Sequence, residues 1–313
     1  MKHARDLPAS SPALAAPGLS QSPLYAAVLR RLGREVHELS PRDAGGGLMI
    51  MRRLGPLGRV GLVPDIPEGT MPALLPGLAR AAGLRALIVN AGHPGEAAGL
   101  RDAGFLQVMT GGFGAAIDLT RPQAERRAAL QGKWRNRLVR AEAGDLEVRA
   151  ARYHAGRHGW LIEAEATQRR ARGYRGLPPG LAALAAEAEP GAVRVFEAVA
   201  QGRVIAAMLF LIHGAAATYF IGHAGAEGRA AAAHNLLLWQ ASNRLAAAGV
   251  VRLDLGPVET ERAPGLARFK LGAGAEAKER GGSWLWTPAT APLAQLSRRA
   301  ARGFRWRNGR SCR

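Results

Sequence analysis

The sequence predicts an α/β (α+β) protein, and three observations support this fold class. Strand-like apolar runs alternate with helix-like segments along most of the chain. Glycine and proline bound most of these runs, as is typical of the ends of strands and helices. The length of 313 residues exceeds the usual size of one domain. We therefore expect two domains with mixed central sheets flanked by helices.

The first half alternates short strands with short helices. One helix is predicted between residues 71 and 82, because Leu74, Leu75 and Leu78 share a helical face. A second helix covers residues 96–103 and ends at Gly104, a residue type typical of helix C-termini. The predicted strands of this half are residues 47–53, 59–63, 85–90, 105–109 and 114–119.

Residues 123–142 predict one basic helix that links the two halves. Its apolar residues are spaced by four, four and three positions, which places them on one face: Leu130, Trp134, Leu138 and Ala141. Basic residues, among them Arg126, Lys133 and Arg140, occupy the other faces. A further helix is predicted over residues 158–172, and the segment 173–179 with its glycines and prolines ends it.

The second half has the clearer pattern of elements. Strands are predicted over residues 193–200, 203–213 and 216–222, with Gln201-Gly202 as the tight turn between the first two. A long helix follows over residues 231–248, and Gly249 ends it. The last strand of this series covers residues 250–255. The resulting order is β-β-β-α-β.

Composition excludes several classes of protein. The hydrophobic content of 48% is ample for a packed core and excludes a wholly disordered chain. Cys312 is the single cysteine, so a disulfide framework within the chain is excluded and a reducing, cytoplasmic location is expected. No apolar run reaches the length of about 18 residues that a membrane span needs. The eight histidines show no paired spacing with carboxylates, so no metal site is predicted.

The formal net charge of +19, with a pI near 11.5, has two interpretations. One is a polyanionic partner such as RNA, a nucleotide cofactor or an anionic membrane surface. The other is the composition of a GC-rich genome, because the chain has only four lysines and is rich in arginine, alanine and glycine. Charge alone does not separate these two interpretations.

Both ends of the chain are predicted to lie outside the folded domains. Residues 1–22 lack the continuous apolar stretch of a signal peptide and are expected to form a disordered leader. Residues 291–313 form a basic tail that includes Phe304 and Trp306. This tail is either an amphipathic segment that contacts RNA or an anionic bilayer, or a solvated, partly disordered end.

Several motifs of the second half occur in an order that resembles one family. They are the helix start His234–Trp239, the strand Arg252–Gly256, the segment Gly265–Lys270, the glycines of 272–274 and the final strand Ser283–Trp286. This order resembles the C-terminal half of the Fem-type (FemABX) peptidoglycan aminoacyltransferases and of related acetyltransferases in the GNAT superfamily. The basic segment Lys133–Leu138 also resembles the segment that joins the two domains of that family.

The resemblance implies tandem GNAT-like domains, for which the order β-β-β-α-β is typical. On this basis we expect an N-terminal GNAT-like domain over residues 23–122 and a C-terminal one over residues 151–290. The basic linking helix lies between them, within residues 123–150. The leader and the basic tail complete the chain.

Two residues are the predicted catalytic candidates. Asp254 ends a predicted strand and is a candidate to orient or deprotonate an amine, although a carboxylate at a strand end also caps the loop that follows. The resemblance implies that Lys270 lies near the nucleotide end of the donor, with Phe269 beside it. A lysine there is suited to contact a phosphate or an oxyanion; the alternative is a surface lysine beside a core phenylalanine.

The remaining candidates concern binding. Arg229, His234 and Asn235 are candidates for the donor phosphates, and the last two also suit helix capping. The candidates for the substrate-binding part of the site are Tyr219, Gly256, Glu259, Arg135 and Arg137. The two arginines have a simple alternative, which is a solvated helix face.

The resemblance implies an N-acyltransferase that joins an acyl or aminoacyl group to an amine by direct aminolysis. No tightly bound cofactor is expected, and the donor is acyl-CoA or aminoacyl-tRNA. The absence of a glycine-rich loop before His234 and the high charge favour tRNA, whereas the absence of a coiled-coil arm favours CoA. The alternative function is an inert GNAT-like scaffold that binds RNA or an anionic membrane surface.

Overall fold

The computed structural model describes residues 16–39, 47–66, 70–172 and 177–290. The helices are α1 (Pro23–Arg31), α2 (Leu75–Ala81), α3 (Glu96–Asp102), α4 (Gln123–Ala128), α5 (Gly132–Glu142), α6 (Ala155–Arg172), α7 (Leu181–Ala188), α8 (Ala226–Ala230), α9 (Ala233–Ala247) and α10 (Pro264–Gly272). The strands are β1 (Glu35–Glu38), β2 (Leu48–Arg53), β3 (Arg59–Val63), β4 (Ala86–Ala91), β5 (Leu106–Met109), β6 (Phe113–Asp118), β7 (Glu147–Arg152), β8 (Val193–Ala200), β9 (Arg203–His213), β10 (Ala216–Ala224), β11 (Arg252–Val258), β12 (Glu276–Glu279) and β13 (Gly282–Trp286).

The chain divides into two compact units. The large unit contains the described residues up to Val28 together with Gly114–Ala277. The small unit contains Leu29–Phe113 together with the described residues from Lys278 onward. Each unit has its own sheet and its own core. The predicted fold class, with mixed sheets flanked by helices, is therefore confirmed.

The small unit is built on a six-stranded sheet with the order β1-β2-β3-β4-β13-β5. β3 and β4 are parallel, whereas β13 is antiparallel to both β4 and β5. Alternate residues of β4 are buried, as expected for a strand that packs one face on a core. Trp284 and Trp286 alternate in the same way on β13 and fill that core together with Leu87 and Phe105.

The large unit has a seven-stranded sheet with the order β12-β6-β11-β10-β9-β8-β7. Both of its faces are covered, which explains why the central strands are continuous apolar runs. Along β8, Phe196 belongs to the core cluster that includes residues of α5 and α9. Val195 belongs to the cluster that includes Leu24, Leu161 from α6 and Leu181 from α7.

Two strands lie in a different sheet from the one in which the sequence predicts them. The run 114–119 was expected to complete the first domain, but β6 lies in the sheet of the large unit. Ser283–Trp286 was expected to end the second domain, but β13 inserts between β4 and β5 of the small unit. The predicted boundaries 23–122 and 151–290 therefore do not coincide with the two units. The physical reason is long-range pairing, which the local pattern of a strand does not encode.

The linking helix and the leader also differ from prediction. Residues 123–142 form two helices, α4 and α5, and Trp134 and Leu138 pack into the core of the large unit rather than joining two domains. Residues 18–22 of the expected leader are folded, because Leu19 and Ser22 are buried and the Ser22 hydroxyl donates to the Leu19 carbonyl. Residues 1–15 of the leader and the basic tail 291–313 lie outside the described residues.

Candidate functional site

The two central parallel strands of the large unit diverge. β10 and β11 pair only at Ala216↔Arg252, Ala217↔Leu253 and Thr218↔Asp254. β10 nevertheless continues to Ala224, β11 continues to Val258, and the register of β10 against β9 shifts between Tyr219 and Ile221. A bulge of this kind bends a strand away from its neighbour. We call the resulting gap, between residues 219–224 of β10 and 255–258 of β11, the wedge.

Backbone groups that face each other across the wedge have no strand partner, so other groups must satisfy them. The Arg229 guanidinium donates to the Ala224 carbonyl oxygen at 2.6 Å. The His234 ring makes a hydrogen bond with the backbone of His223. Side chains from α8 and α9 thus replace a neighbouring strand at the open end of β10.

On the β11 side, Lys270 reaches the wedge from α10. Its Nζ donates to the Pro257 carbonyl oxygen at 2.7 Å, and the residue is only 5% exposed. Burial lowers the pKa of Lys270 to about 8, and the charge of Glu259 opposes this shift. The adjacent Gly256 has φ +77°, and a Cβ there would lie 3.8 Å from Nζ. A cation is therefore held at the wedge next to a backbone bend that favours glycine.

The aromatic rings of His234 and Phe269 are neighbours beside the wedge. Their ring centroids are 6.3 Å apart, and Phe269 is 6.1 Å from Trp134 of α5. Burial is the main cause that lowers the pKa of His234, the hydrogen bond with the His223 backbone opposes it, and the Arg229 guanidinium adds to the lowering. The structure therefore brings four predicted residues to the wedge, namely Arg229, His234, Phe269 and Lys270.

Asp254 lies at the closed end of the wedge, where β10 and β11 are still paired. Its Oδ1 is 3.0 Å from Arg252 Nε, and the Arg252 guanidinium also donates to the Ala16 carbonyl oxygen. Its register partner is Thr218, whose hydroxyl is 2.9 Å from His213 Nε2. Burial lowers the pKa of His213 to about 4. Asp254 is thus engaged in an ion pair at the position where the gap begins.

The other predicted binding residues have different surroundings. Tyr219 is the first β10 residue past the last pair, and its ring packs 5.8 Å from Phe210. Asn235 is buried in α9, and its Nδ2 has no hydrogen-bond partner among the described residues. Arg135 donates to the carbonyl oxygens of Ala128 and Leu130 and so caps the end of α4. Arg137 is exposed on α5.

Sequence reasoning missed two features of this site. The first is the Pro257 carbonyl oxygen, which accepts from Lys270 and which no residue-type pattern reveals. The second is His223, whose ring contacts Trp160 edge-on at 6.1 Å. His223 follows the β10 bulge, and its backbone binds the His234 ring. The bulge has no signal in the sequence.

The segment between β10 and α9 is tightly packed. A Cβ on Gly228 would lie 2.5 Å from the Ile205 carbonyl oxygen, so this position requires glycine. Ala232 has a left-handed φ of 53° just before α9. Arg140 of α5 donates to the Ala230 carbonyl oxygen at 3.1 Å. Neither a cluster that could hold a metal ion nor a membrane-spanning helix is found among the described residues.

Comparisons with known proteins agree with this architecture. Residues 124–276 match the family model of the acetyltransferase (GNAT) domain. The structure of FemX is similar over 89% of this chain and 94% of its own, with 12% identity and a TM-score of 0.71. The C-terminal domain of a putative lysylphosphatidylglycerol synthetase from Agrobacterium fabrum covers 88% and 91%, with 16% identity and a TM-score of 0.56.

A third similar structure is L-PGS from Bacillus licheniformis, with 14% identity, coverage of 90% and 96%, and a TM-score of 0.51. Because the sequence identities with these three structures are low, the similarity shows a shared fold. No curated protein matches the chain by sequence. The resemblance to GNAT acyltransferases of the Fem type is thereby confirmed.

Proposed function

We propose that the chain, whose residues 124–276 match the GNAT acetyltransferase domain, is an N-acyltransferase that joins an activated acyl or aminoacyl group to an amine. The match supports acyl transfer in general terms, and the observation that carries the more specific proposal is the wedge between β10 and β11. This gap places unpaired backbone groups and one buried lysine around a space at the centre of the sheet.

The wedge suits a reaction that creates an oxyanion. Attack of an amine on a thioester or ester carbonyl places negative charge on the carbonyl oxygen, and fixed donors at that oxygen lower the barrier. Backbone N–H groups along the edges of the wedge and the Lys270 ammonium are such donors. In this proposal Lys270 leaves the Pro257 carbonyl oxygen, or shares its protons with it, when the donor is bound.

Direct aminolysis fits the residues at the wedge. Residues 219–224 and 255–258 include no serine, threonine or cysteine that would form a covalent acyl-enzyme. The donor is already activated, so the protein has to position the amine, stabilise the oxyanion and accept one proton. Asp254, at the closed end of the wedge, is proposed to orient the amine through its ion pair with Arg252.

The proposed donor is acyl-CoA or aminoacyl-tRNA, bound with its phosphates near the start of α9. Arg229 and the first turn of α9 border the open end of the wedge, and the free N–H groups of a helix start favour phosphate. Arg137 is exposed on the neighbouring α5. The net charge of +19 is consistent with a polyanionic donor such as tRNA.

The acceptor is proposed to be an amine, and Glu259 after β11 is a candidate to attract it as an ammonium ion. One similar fold is named as a putative lysylphosphatidylglycerol synthetase, a name that denotes a lipid product, and we propose that the amine acceptor lies at an anionic membrane surface. We propose a cytoplasmic protein that reaches such a surface peripherally, with the basic tail 291–313 as the contacting segment.

Donor binding and product formation test this function together. The full chain is titrated with acetyl-CoA, with charged tRNA and with uncharged tRNA at two salt concentrations, and amine products are then identified by mass spectrometry. CoA binding with little salt dependence identifies an acyl-CoA enzyme. Preference for charged tRNA that weakens steeply with salt identifies an aminoacyltransferase. Binding to no donor, or binding without any transfer, contradicts the proposed function.

One observation favours the alternative of an inert scaffold. The segment before α9 has no glycine-rich phosphate loop, and its arginine, Arg229, donates to the Ala224 carbonyl oxygen. A scaffold would bind RNA or anionic vesicles without transfer, and Lys270→Met would leave that binding unchanged.

A further inference from the structure

His234 lies at the β10 side of the wedge. Its ring hydrogen-bonds the backbone of His223 on the β10 side. On the other side its ring centroid is 6.3 Å from that of Phe269, the neighbour of Lys270. Lys270 is in turn bound to β11 through the Pro257 carbonyl oxygen. The imidazole therefore lies beside the diverged part of β10 and contacts the helix that carries Lys270.

The contacts of the ring define which nitrogen carries the proton. Nε2 is shielded from solvent and has no hydrogen-bond partner among the described residues. The bond to the His223 backbone is therefore made by Nδ1, and it favours the protonated nitrogen, so Nδ1–H donates to the His223 carbonyl oxygen. In the neutral ring the lone pair is then on Nε2.

The surroundings keep the ring neutral. Burial is the largest cause that lowers the pKa of His234, the hydrogen bond with the His223 backbone opposes it, and the Arg229 guanidinium lowers the pKa further. Lys270 on α10 and Arg140 on α5 are further basic groups near this helix start, and the same two helices also carry Arg268, Lys133, Arg135 and Arg137. A neutral imidazole with a free lone pair is a proton acceptor at pH 7.

His234 Nε2 is one of four buried histidine nitrogens that have no hydrogen-bond partner among the described residues, and the others are His158 Nε2, His213 Nδ1 and His223 Nδ1. Another buried histidine, His158, accepts at Nδ1 from the His154 amide at 2.9 Å and places Nε2 3.7 Å from a Glu197 carboxylate oxygen. Buried polar atoms normally have hydrogen-bond partners, and exceptions call for an explanation, which we seek for His234 in its place beside the wedge. Two residues next to His234 also have a buried atom without a hydrogen-bond partner in the described part of the chain. They are His223, whose backbone binds the His234 ring and whose Nδ1 has no partner, and Asn235, the next residue in the chain, whose Nδ2 has none.

We propose that His234 is the group that removes the proton from the acceptor amine, an inference that rests on the proposed function. The amine nitrogen attacks the donor carbonyl carbon, a C–N bond forms, and one N–H proton passes to His234 Nε2. The bond from carbon to the CoA sulfur or tRNA oxygen then breaks, and the leaving group takes that proton. The products are an amide and the free thiol or hydroxyl, and His234 returns to its neutral form.

Solvent does not reach His234 Nε2 in the free protein. The side chains packed around this atom must therefore move when the substrate binds, so that the amine can reach it. The Nδ1–H bond to the His223 carbonyl oxygen holds the ring in orientation meanwhile. It also compensates the positive charge that forms on the ring, as the partner of a catalytic histidine does.

The tautomer is tested without any substrate. Imidazole ¹⁵N resonances of the full chain are recorded from pH 5 to 8, and the His234 signal is assigned by its loss in His234→Asn. We expect a neutral Nδ1–H ring at pH 7. A neutral Nε2–H ring, or a ring still protonated at pH 7, would overturn the role of Nε2.

The catalytic role is tested by transfer kinetics with the donor that the binding experiment identifies. Asparagine can donate to the His223 carbonyl oxygen as Nδ1 does, but it has no base at the position of Nε2. His234→Asn is expected to lower kcat about 100-fold or more, with little change in the donor KM. The fall in wild-type rate at low pH should be absent from this variant, and imidazole should partly rescue His234→Ala. His154→Asn, at an exposed histidine, is the matched control and should retain full activity.

The outcomes separate this inference from the proposed function. Wild-type transfer with a less than threefold loss in His234→Asn would overturn the role of His234 and leave the transferase intact. A large loss without imidazole rescue and with an unchanged pH profile would make His234 a structural residue. Absence of transfer by the wild-type protein with every donor would overturn both.

Discussion

Lys270 donates a hydrogen bond of 2.7 Å to the carbonyl oxygen of Pro257, and this contact joins α10 to the end of β11. It is a buried cation without an ion-pair partner among the described residues, held by a neutral oxygen. Desolvation of such a cation is costly, and proteins retain the arrangement mainly where the charge is used. The bond therefore holds a basic group beside the wedge, where the proposed reaction would form an oxyanion.

Lys270 should make stability depend on pH. Its pKa is about 8 in the folded protein and 10.5 ordinarily, so the unfolded chain binds more protons between these values. The free energy of unfolding should therefore rise from pH 8 to 10.5, by up to about 3 kcal/mol. Urea unfolding of the wild type and of Lys270→Met at pH 7.5, 9 and 10.5 measures this difference. An equal pH dependence in both proteins would contradict the burial of a charged lysine.

Gly256→Ala should reduce activity beyond its effect on stability. A left-handed φ costs alanine about 1 to 2 kcal/mol, and the new Cβ would approach Lys270 Nζ. Gly214→Ala is the matched control, because it has φ +68° and open space in the turn between β9 and β10. We expect similar losses of unfolding free energy in both variants. Only Gly256→Ala should lower kcat, and equal kcat values would argue against a role of this bend in the site.

The ion pair between Arg157 and Glu197 should anchor the start of α6. The Glu197 side chain is buried and that of Arg157 is half exposed. The distance between Arg157 Nη2 and Glu197 Oε2 is 2.5 Å. Arg157→Met leaves the buried carboxylate without its main cation and should cost about 2 to 3 kcal/mol. Glu197→Gln removes the buried charge itself and should cost less. Thermal and urea unfolding of both variants measure the order, and the reverse order would contradict a buried, charge-dependent pair.

Trp286 should be critical for the small unit. It is fully buried between β4 and the helices of that unit, and Arg80 lies over its ring at 5.3 Å. Trp286→Ala should destabilise this unit by about 3 to 5 kcal/mol. Native-state hydrogen exchange should show faster exchange in β3 and β4 while β9 stays protected. Uniform exchange changes in both sheets would show that the two units unfold together.

The sequence was most informative where structure is local. The strands 193–200 and 203–213 and their Gln201-Gly202 turn are confirmed, since both turn residues have positive φ. The helix predicted over 231–248 corresponds to α9 at 233–247. Alternation and helical periodicity report which residues are buried, so such elements follow from the sequence alone.

Long-range features did not follow from the sequence. The insertion of β13 between β4 and β5 depends on strands far apart in the chain, and a strand pattern does not name its neighbours. The candidate Lys270 came from the family resemblance, and His234 and Arg229 came from their positions at and before the start of a predicted helix. Their meeting at the wedge depends on a bulge at Tyr219 and on the backbone carbonyl groups of three residues, and none of these has a residue-type signature.

The rate of amide formation by Lys270→Met tests the central claim most directly, which is that the wedge is the acyl-transfer site. Single-turnover transfer from the bound donor is compared for the wild type, for Lys270→Met and for Lys278→Met, in which an exposed lysine of β12 is changed in the same way. We expect a fall of about 100-fold or more for Lys270→Met and no change for Lys278→Met. Equal rates for all three proteins would show that transfer occurs elsewhere.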